Sequence, residues 1–286
     1  MLTIKAYAKI NLFLNVVGKR DNGYHDLEMV NAKIDLADTL TFEEIFSHLP
    51  VTIHSNDKFL EKEGNLLYRV ARYMMEYYAL GKSVLITVDK IIPPGAGLAG
   101  NSTDAAAIIK GINQLYNLNL SLPQMETIGV QFGADIPYCL YDSPAIVKGI
   151  GDDIKLTRLP LDNCSVLIVK PRDFIRTEDV FTLGDERGFP NNDIQPIINA
   201  IKSFDQEMFL QAMKNSLETI SFILSDETLQ TKSLICDELG PKGVIMSGSG
   251  STIIKIIQGK MNELIDFFDK YVNKFSIFQA KIVNKE

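Results

Sequence analysis

Residues 93–104 read Pro93-Pro94-Gly95-Ala96-Gly97-Leu98-Ala99-Gly100-Asn101-Ser102-Thr103-Asp104, and the chain then turns apolar with helical spacing. Two prolines cannot donate to a ladder, so they end any strand before them. Three glycines within six positions allow positive φ and a close backbone approach to whatever lies in the loop. Ala105, Ile108, Ile109, Ile112 and Leu115 then share one helical face. The unit is therefore strand, tight loop, buried helix. Two readings of the loop follow. Its successive N–H groups can converge on an anion, helped by the positive end of a helix beginning near Asp104; Ser102 and Thr103 would then bond a phosphate or a Mg²⁺-bound water. Alternatively, Ser, Thr or Asp simply caps the helix after a glycine turn.

Two common nucleotide loops are excluded by context. Gly95, Gly97 and Gly100 satisfy G-x-G-x-x-G, but the stretch about 20 residues further on, Asn117 to Leu122, has no acidic residue for a ribose. No Gly-Lys-Ser/Thr follows, so a Walker A loop fails as well.

The chain has 286 residues, enough for one large domain or two modest ones. A net charge of -7 without a Lys/Arg cluster argues against nucleic acid as a partner. Cys139, Cys164 and Cys236 are scattered, no C-x-x-C exists and only three histidines are present. That argues against zinc and a disulfide framework, and no metal-ligating side-chain set stands out. Lys5 and Lys9 interrupt the apolar N-terminus, so it does not read as a signal peptide. No apolar run approaches the ~18 residues of a membrane span. The expected setting is the cytoplasm, with reduced thiols and no membrane partner.

Alternation of Ile10, Leu12, Leu14 and Val16 marks strands from the N-terminus to Leu40, with a turn at Asp21-Asn22-Gly23. Positions 65–79 carry a helical stripe, 83–88 a strand, and 144–160 a Gly- and Asp-rich crossing segment. A short strand at 166–169 precedes helices expected at 193–203, 205–224, 226–239 and 261–273. A Gly/Ser loop at 247–251 separates strand-like runs at 243–246 and 252–257, and a last strand spans 276–283. Strands and helices mix without strict alternation, which favours α+β.

Three motifs together are specific. Ala8-Lys9-Ile10-Asn11-Leu12, the loop from Pro94 and Met246-Ser247-Gly248-Ser249-Gly250-Ser251 resemble the GHMP kinases, named for galactokinase, homoserine kinase, mevalonate kinase and phosphomevalonate kinase. Lys19 to Leu27 (with Gly23-Tyr24-His25), Ile34-Asp35-Leu36-Ala37-Asp38 and Gly133-Ala134-Asp135-Ile136-Pro137-Tyr138 are similar to the branch acting on a cytidine diphosphate-linked polyol in the non-mevalonate isoprenoid route. Departures include Asn101, where many members have glycine, and Arg176, at a position often small or proline.

The resemblance implies a two-domain GHMP-kinase-like fold. Residues 1–158 would form an ATP-binding domain of mixed sheet and helices, and 159–286 a domain of helices on an antiparallel sheet. It implies ATP and Mg²⁺, a small-molecule acceptor and a monomer or homodimer. Pro94 to Asp104 (Pro94, Gly95, Ala96, Gly97, Leu98, Ala99, Gly100, Asn101, Ser102, Thr103, Asp104) would hold the nucleotide, with Asn65 near adenine; Asn65 is also a plain helix N-cap. Asp135 would be the general base, although Ile136-Pro137 behind it equally suits a capping Asp. Lys9 would support it and neutralise phosphoryl charge, or else snorkel from an edge strand. Asn11, on the same strand face as Lys9, would bond the polyol. Tyr24, His25 and the aromatic Phe181 would form the cytidine pocket, with His25 otherwise a turn residue. His48 and His54 read as surface. Two other functions remain open: a GHMP kinase of another alcohol such as mevalonate or homoserine, and a non-catalytic nucleotide sensor.

Overall fold

A computed structural model describes residues 1–258 and 264–283. Contacts sort the chain into two compact units that interleave along the sequence. Unit 1 comprises Met1–Ala8, Ala37–Pro94 and Ala99–Asp142; unit 2 comprises Lys9–Leu36, Gly95–Leu98 and Ser143–Glu286. The chain therefore does not divide at a single point near residue 158. Two long strands, β1 (Leu2–Lys19) and β2 (His25–Ile45), each contribute to both units.

Unit 1 contains β3 (Val51–Ser55), α1 (Leu66–Tyr77), β4 (Ser83–Asp89), α2 (Gly100–Leu115), α3 (Leu122–Gly129) and α4 (Ile136–Cys139). β4 runs antiparallel to the 39–45 half of β2 and parallel to β3. The expected stripe of α1 is realised: Leu67, Val70, Ala71, Met74 and Met75 are buried against the sheet's core cluster. α2 is lined with Ala105, Ala106, Ala107 and Gly111, and a Cβ on Gly111 would lie 2.5 Å from Phe42 Cε2. Glycine in a helix interior costs about 1 kcal/mol relative to alanine. Here that cost is offset by the fully buried Phe42 ring, worth about 1.5–3 kcal/mol.

Unit 2 adds β5 (Ala145–Gly149), β6 (Asp153–Leu156), β7 (Cys164–Lys170), α5 (Thr177–Arg187), α6 (Gln195–Ser203), α7 (Gln206–Ala212), α8 (Glu218–Leu224), α9 (Asp226–Leu239), β8 (Val244–Met246), β9 (Ile253–Gln258), α10 (Ile265–Tyr271) and β10 (Ser276–Val283). β10, β7, β9 and β8 pair antiparallel in that order, and the end of β10 meets β2 at Ile282↔Ile34. This is the expected helical, antiparallel C-terminal architecture.

Two expectations are corrected. The 144–160 segment is a hairpin, β5 with β6, and β5 also pairs Leu27–Asn31 of β2. The helix expected over 205–224 is broken, because residues 214–216 pair with β1: Leu14 N–H donates to Lys214, and Ser216 N–H donates back to Leu14. The last helix begins at Ile265; the start expected for it, 261, lies outside the described residues. Among the described residues no helix is long and apolar enough to cross a membrane.

Candidate active site

The glycine loop divides between the units, and its two parts differ in kind. In unit 2, Gly97 has φ +68° and its carbonyl accepts the Ser247 hydroxyl at 3.0 Å. A Cβ on Gly97 would collide with the Ser247 carbonyl and come within 2.9 Å of Gly250 O. Glycine is thus required by the neighbouring loop as well as by the backbone angle. Ala96 and Leu98 are buried while Gly95 and Gly97 are partly open, and Pro94, the last residue of the preceding unit 1 segment, is exposed.

In unit 1 the helix starts earlier than expected, at Gly100, because Ala99 at the N-cap adopts a left-handed conformation (φ 55°). Ser102 and Thr103 therefore sit in the first helical turn. No side chain caps that turn, so its leading N–H groups retain the character of an anion site. Ser102 is half-buried and Asn101 exposed. Thr103 is buried and donates its hydroxyl to the Tyr7 carbonyl at 2.7 Å, and Asp104 is fully buried on Lys90 at 2.6 Å. For these two, placement inside the protein replaces the expected place at the ligand face.

Asn65 caps α1, accepting the Tyr68 N–H at 2.9 Å. It also lines a 320 Å³ cavity with Phe59, Leu60, Lys62, Leu67 and Asn101. That cavity, predominantly apolar, joins Asn65 to the start of α2. Asp135 occupies the N-cap position of α4 but makes no side-chain capping bond there, so the capping alternative is not realised.

In unit 2, Lys9 is 4% exposed, which rules out a snorkelling side chain. Its ammonium donates to Asn11 Oδ1 at 3.2 Å. The Asn11 amide donates to Asn31 Oδ1 at 2.7 Å, and the Asn11 backbone N–H to Ser247 Oγ at 3.3 Å. Asn11 is fully buried with both ends of its amide engaged. Its geometry suits holding Lys9, where a polyol contact was expected. Asn31 and Ser247 carry this support; Ser247 belongs to the third motif of the sequence but is given no role there, and Asn31 is not singled out.

His25 stacks on Phe181 with ring centroids 4.6 Å apart and 25° between planes, and Phe189 meets His25 edge-on at 5.7 Å. His25 Nε2 lies 2.8 Å from Asp185 Oδ1, and Lys19 Nζ lies 2.6 Å from Asp185 Oδ2. Lys19, then His25, holds the Asp185 carboxyl below its usual range. Tyr24 is 56% exposed, leaving its ring open. The structure thus brings His25 and Phe181 together and adds Asp185 and Phe189. The missed signal was the spacing of Phe181 and Asp185, four apart on one helical face. Arg176 pairs with Glu178 at the exposed start of α5.

Residues 65–143 match the family described as GHMP kinases N terminal domain. A Staphylococcus haemolyticus relative is 38% identical, covering 90% of this chain and 91% of its own. The 4-diphosphocytidyl-2-C-methyl-D-erythritol kinase of Bacillus cereus (strain B4264) is 35% identical, covering 90% of this chain and 88% of its own. A crystal structure of 4-(cytidine 5'-diphospho)-2C-methyl-D-erythritol kinase superposes with a TM-score of 0.81 at 28% identity, covering 99% and 100% of the two chains. Homoserine kinase from Cytophaga hutchinsonii shares the fold, with a TM-score of 0.74 at 16% identity.

Proposed function

The chain belongs to the 4-diphosphocytidyl-2-C-methyl-D-erythritol kinase family, and from that premise we propose that it transfers the γ-phosphate of ATP to the 2-hydroxyl of that cytidylated polyol. The product would be an intermediate of the non-mevalonate isoprenoid route. The observation that carries the acceptor's identity is the aromatic and histidine cluster of His25, Phe181 and Phe189, anchored by Asp185. A kinase of a simple alcohol has no base to hold. Because Phe181 already lies on His25, the cytosine would take the open faces, including the exposed Tyr24 ring.

Asp135 is the residue we assign to accept the hydroxyl proton as the oxygen attacks phosphorus. Lys9, fixed by Asn11, supplies positive charge for the transferring phosphoryl group. The glycine loop and the first turn of α2 receive the phosphates, and the cavity beside Asn65 receives adenine. Among the described residues no set of three or more His, Cys, Asp or Glu side chains converges to hold a metal. Mg²⁺ would arrive on the triphosphate with its phosphate and water ligands, and the Ser102 hydroxyl in the first turn of α2 would be the protein's one ligand to it. When bound, Mg²⁺ would neutralise phosphate charge.

The test is an acceptor panel with ATP and Mg²⁺, read by product mass. Phosphorylation of the cytidylated polyol, with inhibition by CDP, is expected. Equal use of methylerythritol phosphate lacking cytidine, or of mevalonate or homoserine, would overturn the assignment.

A further inference from the structure

Three charged side chains meet inside unit 1, where charge is costly. Lys90 Nζ lies 2.5 Å from Asp38 Oδ2 and 2.6 Å from Asp104 Oδ2. The lysine side chain is 10% exposed and both carboxylates 0%. Taking such charges out of water costs several kcal/mol per ion, and well-packed apolar side chains often serve stability equally well. Stability alone is therefore a weak reason for this cluster.

Its position suggests another. Asp38 Oδ1 accepts the N–H groups of Ile91 and Ile92 at 2.5 and 2.8 Å. That fixes the backbone just before Pro93-Pro94 and the glycine loop. Asp104 stands in the second turn of α2, just beyond the loop. Lys90 thus binds a carboxylate that holds the loop's entry and another on the helix that follows its exit. A Cβ on Gly100, the first helical residue, would come within 3.3 Å of Lys90 Nζ and 3.1 Å of Ile92 Cγ2. The ammonium therefore packs directly beneath the turn whose N–H groups carry no side-chain cap. Among the described residues Asp104 Oδ1 accepts no hydrogen bond. Burial and the Asp38 charge raise the Asp104 carboxyl to about 7 despite the pull of Lys90.

We propose that Lys90 is a positioning residue for the nucleotide loop, acting through Asp38 and Asp104 to set the backbone on either side of it. The inference rests on reading that loop as the ATP phosphate site. In this role Lys90 fixes where the N–H groups point.

The test uses ATP binding by calorimetry and KM for both substrates in Lys90→Met/Asp104→Asn, which removes one charge of each sign. The expected variant folds, and its ATP Kd and KM rise about 10- to 100-fold, by analogy with the loss when an outer-shell support of a metal site is removed. Acceptor KM stays within about 2-fold. Wild-type ATP affinity in the folded variant would make the cluster purely structural and overturn the proposal. So would equal losses for both substrates. If the double variant does not fold, Asp104→Ala decides, because it leaves Lys90 and Asp38 paired one to one. A selective rise in ATP KM supports the proposal, and an unchanged KM overturns it. Failure of the wild-type chain to bind ATP would be a different result, removing the nucleotide reading of the loop and this inference with it.

Discussion

The Ser247 hydroxyl donates to the Gly97 carbonyl across 3.0 Å, tying together two glycine motifs that lie far apart in the chain. Each motif is shaped by the other: Gly97 leaves room for the Ser247 carbonyl, and a Cβ on Gly248 would lie 3.3 Å from the Gly97 carbonyl. Gly97→Ala places a side chain at φ +68° and drives it into the second motif. The left-handed angle alone costs about 1–2 kcal/mol. We expect a lower melting temperature and a raised ATP KM. Ser247→Ala removes one hydrogen bond, worth about 0.5–1.5 kcal/mol, and should give a milder version of both effects. A Gly97→Ala protein with wild-type melting and ATP KM would show that this contact sets nothing.

Asp135→Asn keeps the shape of the side chain and removes its ability to take a proton. We expect kcat to fall by about 10²–10⁴-fold, with ATP binding nearly intact. Retention of more than about a third of wild-type kcat would reject Asp135 as the base.

Phe181 stacks on His25 at 4.6 Å, so Phe181→Ala removes one wall of the proposed cytidine pocket. Loss of an aromatic platform costs about 1–3 kcal/mol, which corresponds to about 5- to 150-fold in acceptor KM when binding equilibrates before chemistry. ATP KM should scarcely move. Asp185→Asn tests the same pocket from behind, because it weakens the hold on His25 and Lys19. A smaller rise in acceptor KM is expected there. Parallel loss of both substrates with a lowered melt would mark Phe181 as ordinary core.

Asp104 predicts a pH dependence of stability. Its carboxyl is raised from 3.8 to about 7, so the folded chain holds that proton more tightly than the unfolded chain. Stability linked to the proton is complete below about pH 4 and is lost as pH rises toward about 7. The wild-type melting temperature should therefore fall, relative to Asp104→Asn, between about pH 4 and pH 7. Asp185 has the opposite sign: its lowered carboxyl contributes above the ordinary carboxylate range and loses that contribution in acid. Superimposable pH profiles for wild type and Asp104→Asn would remove the buried-proton account.

Local pattern carried the elements whose burial follows from their own period. The α1 stripe, its Asn65 cap and the strands of the first 40 residues were legible in this way, although β2 runs on to Ile45. The break between α7 and α8 was not, because it is imposed by pairing with Leu14, far away in the first strand. α5 was missed because only Val180 and Gly184 of its 11 residues are buried, too few to make a stripe. Charge was illegible for a similar reason: nothing in the order of residues joins Lys90, Asp38 and Asp104, and only the fold shows that they are buried together.

The interleaving of the two units has a consequence for how the chain can be made. Every segment of unit 1 lies before Ser143, so a ribosome delivers that unit whole before the longest segment of unit 2 is synthesised. Lys9–Leu36 of unit 2 is synthesised before Ala37–Asp142, yet the strand that joins β2 to β7, Ser276–Val283, emerges after every segment of unit 1. Meanwhile the apolar 9–36 stretch must wait without its final neighbours, the exposure that makes nascent chains prone to aggregate. Synthesis order therefore favours unit 1 as the early-folding part and leaves unit 2 to be completed last.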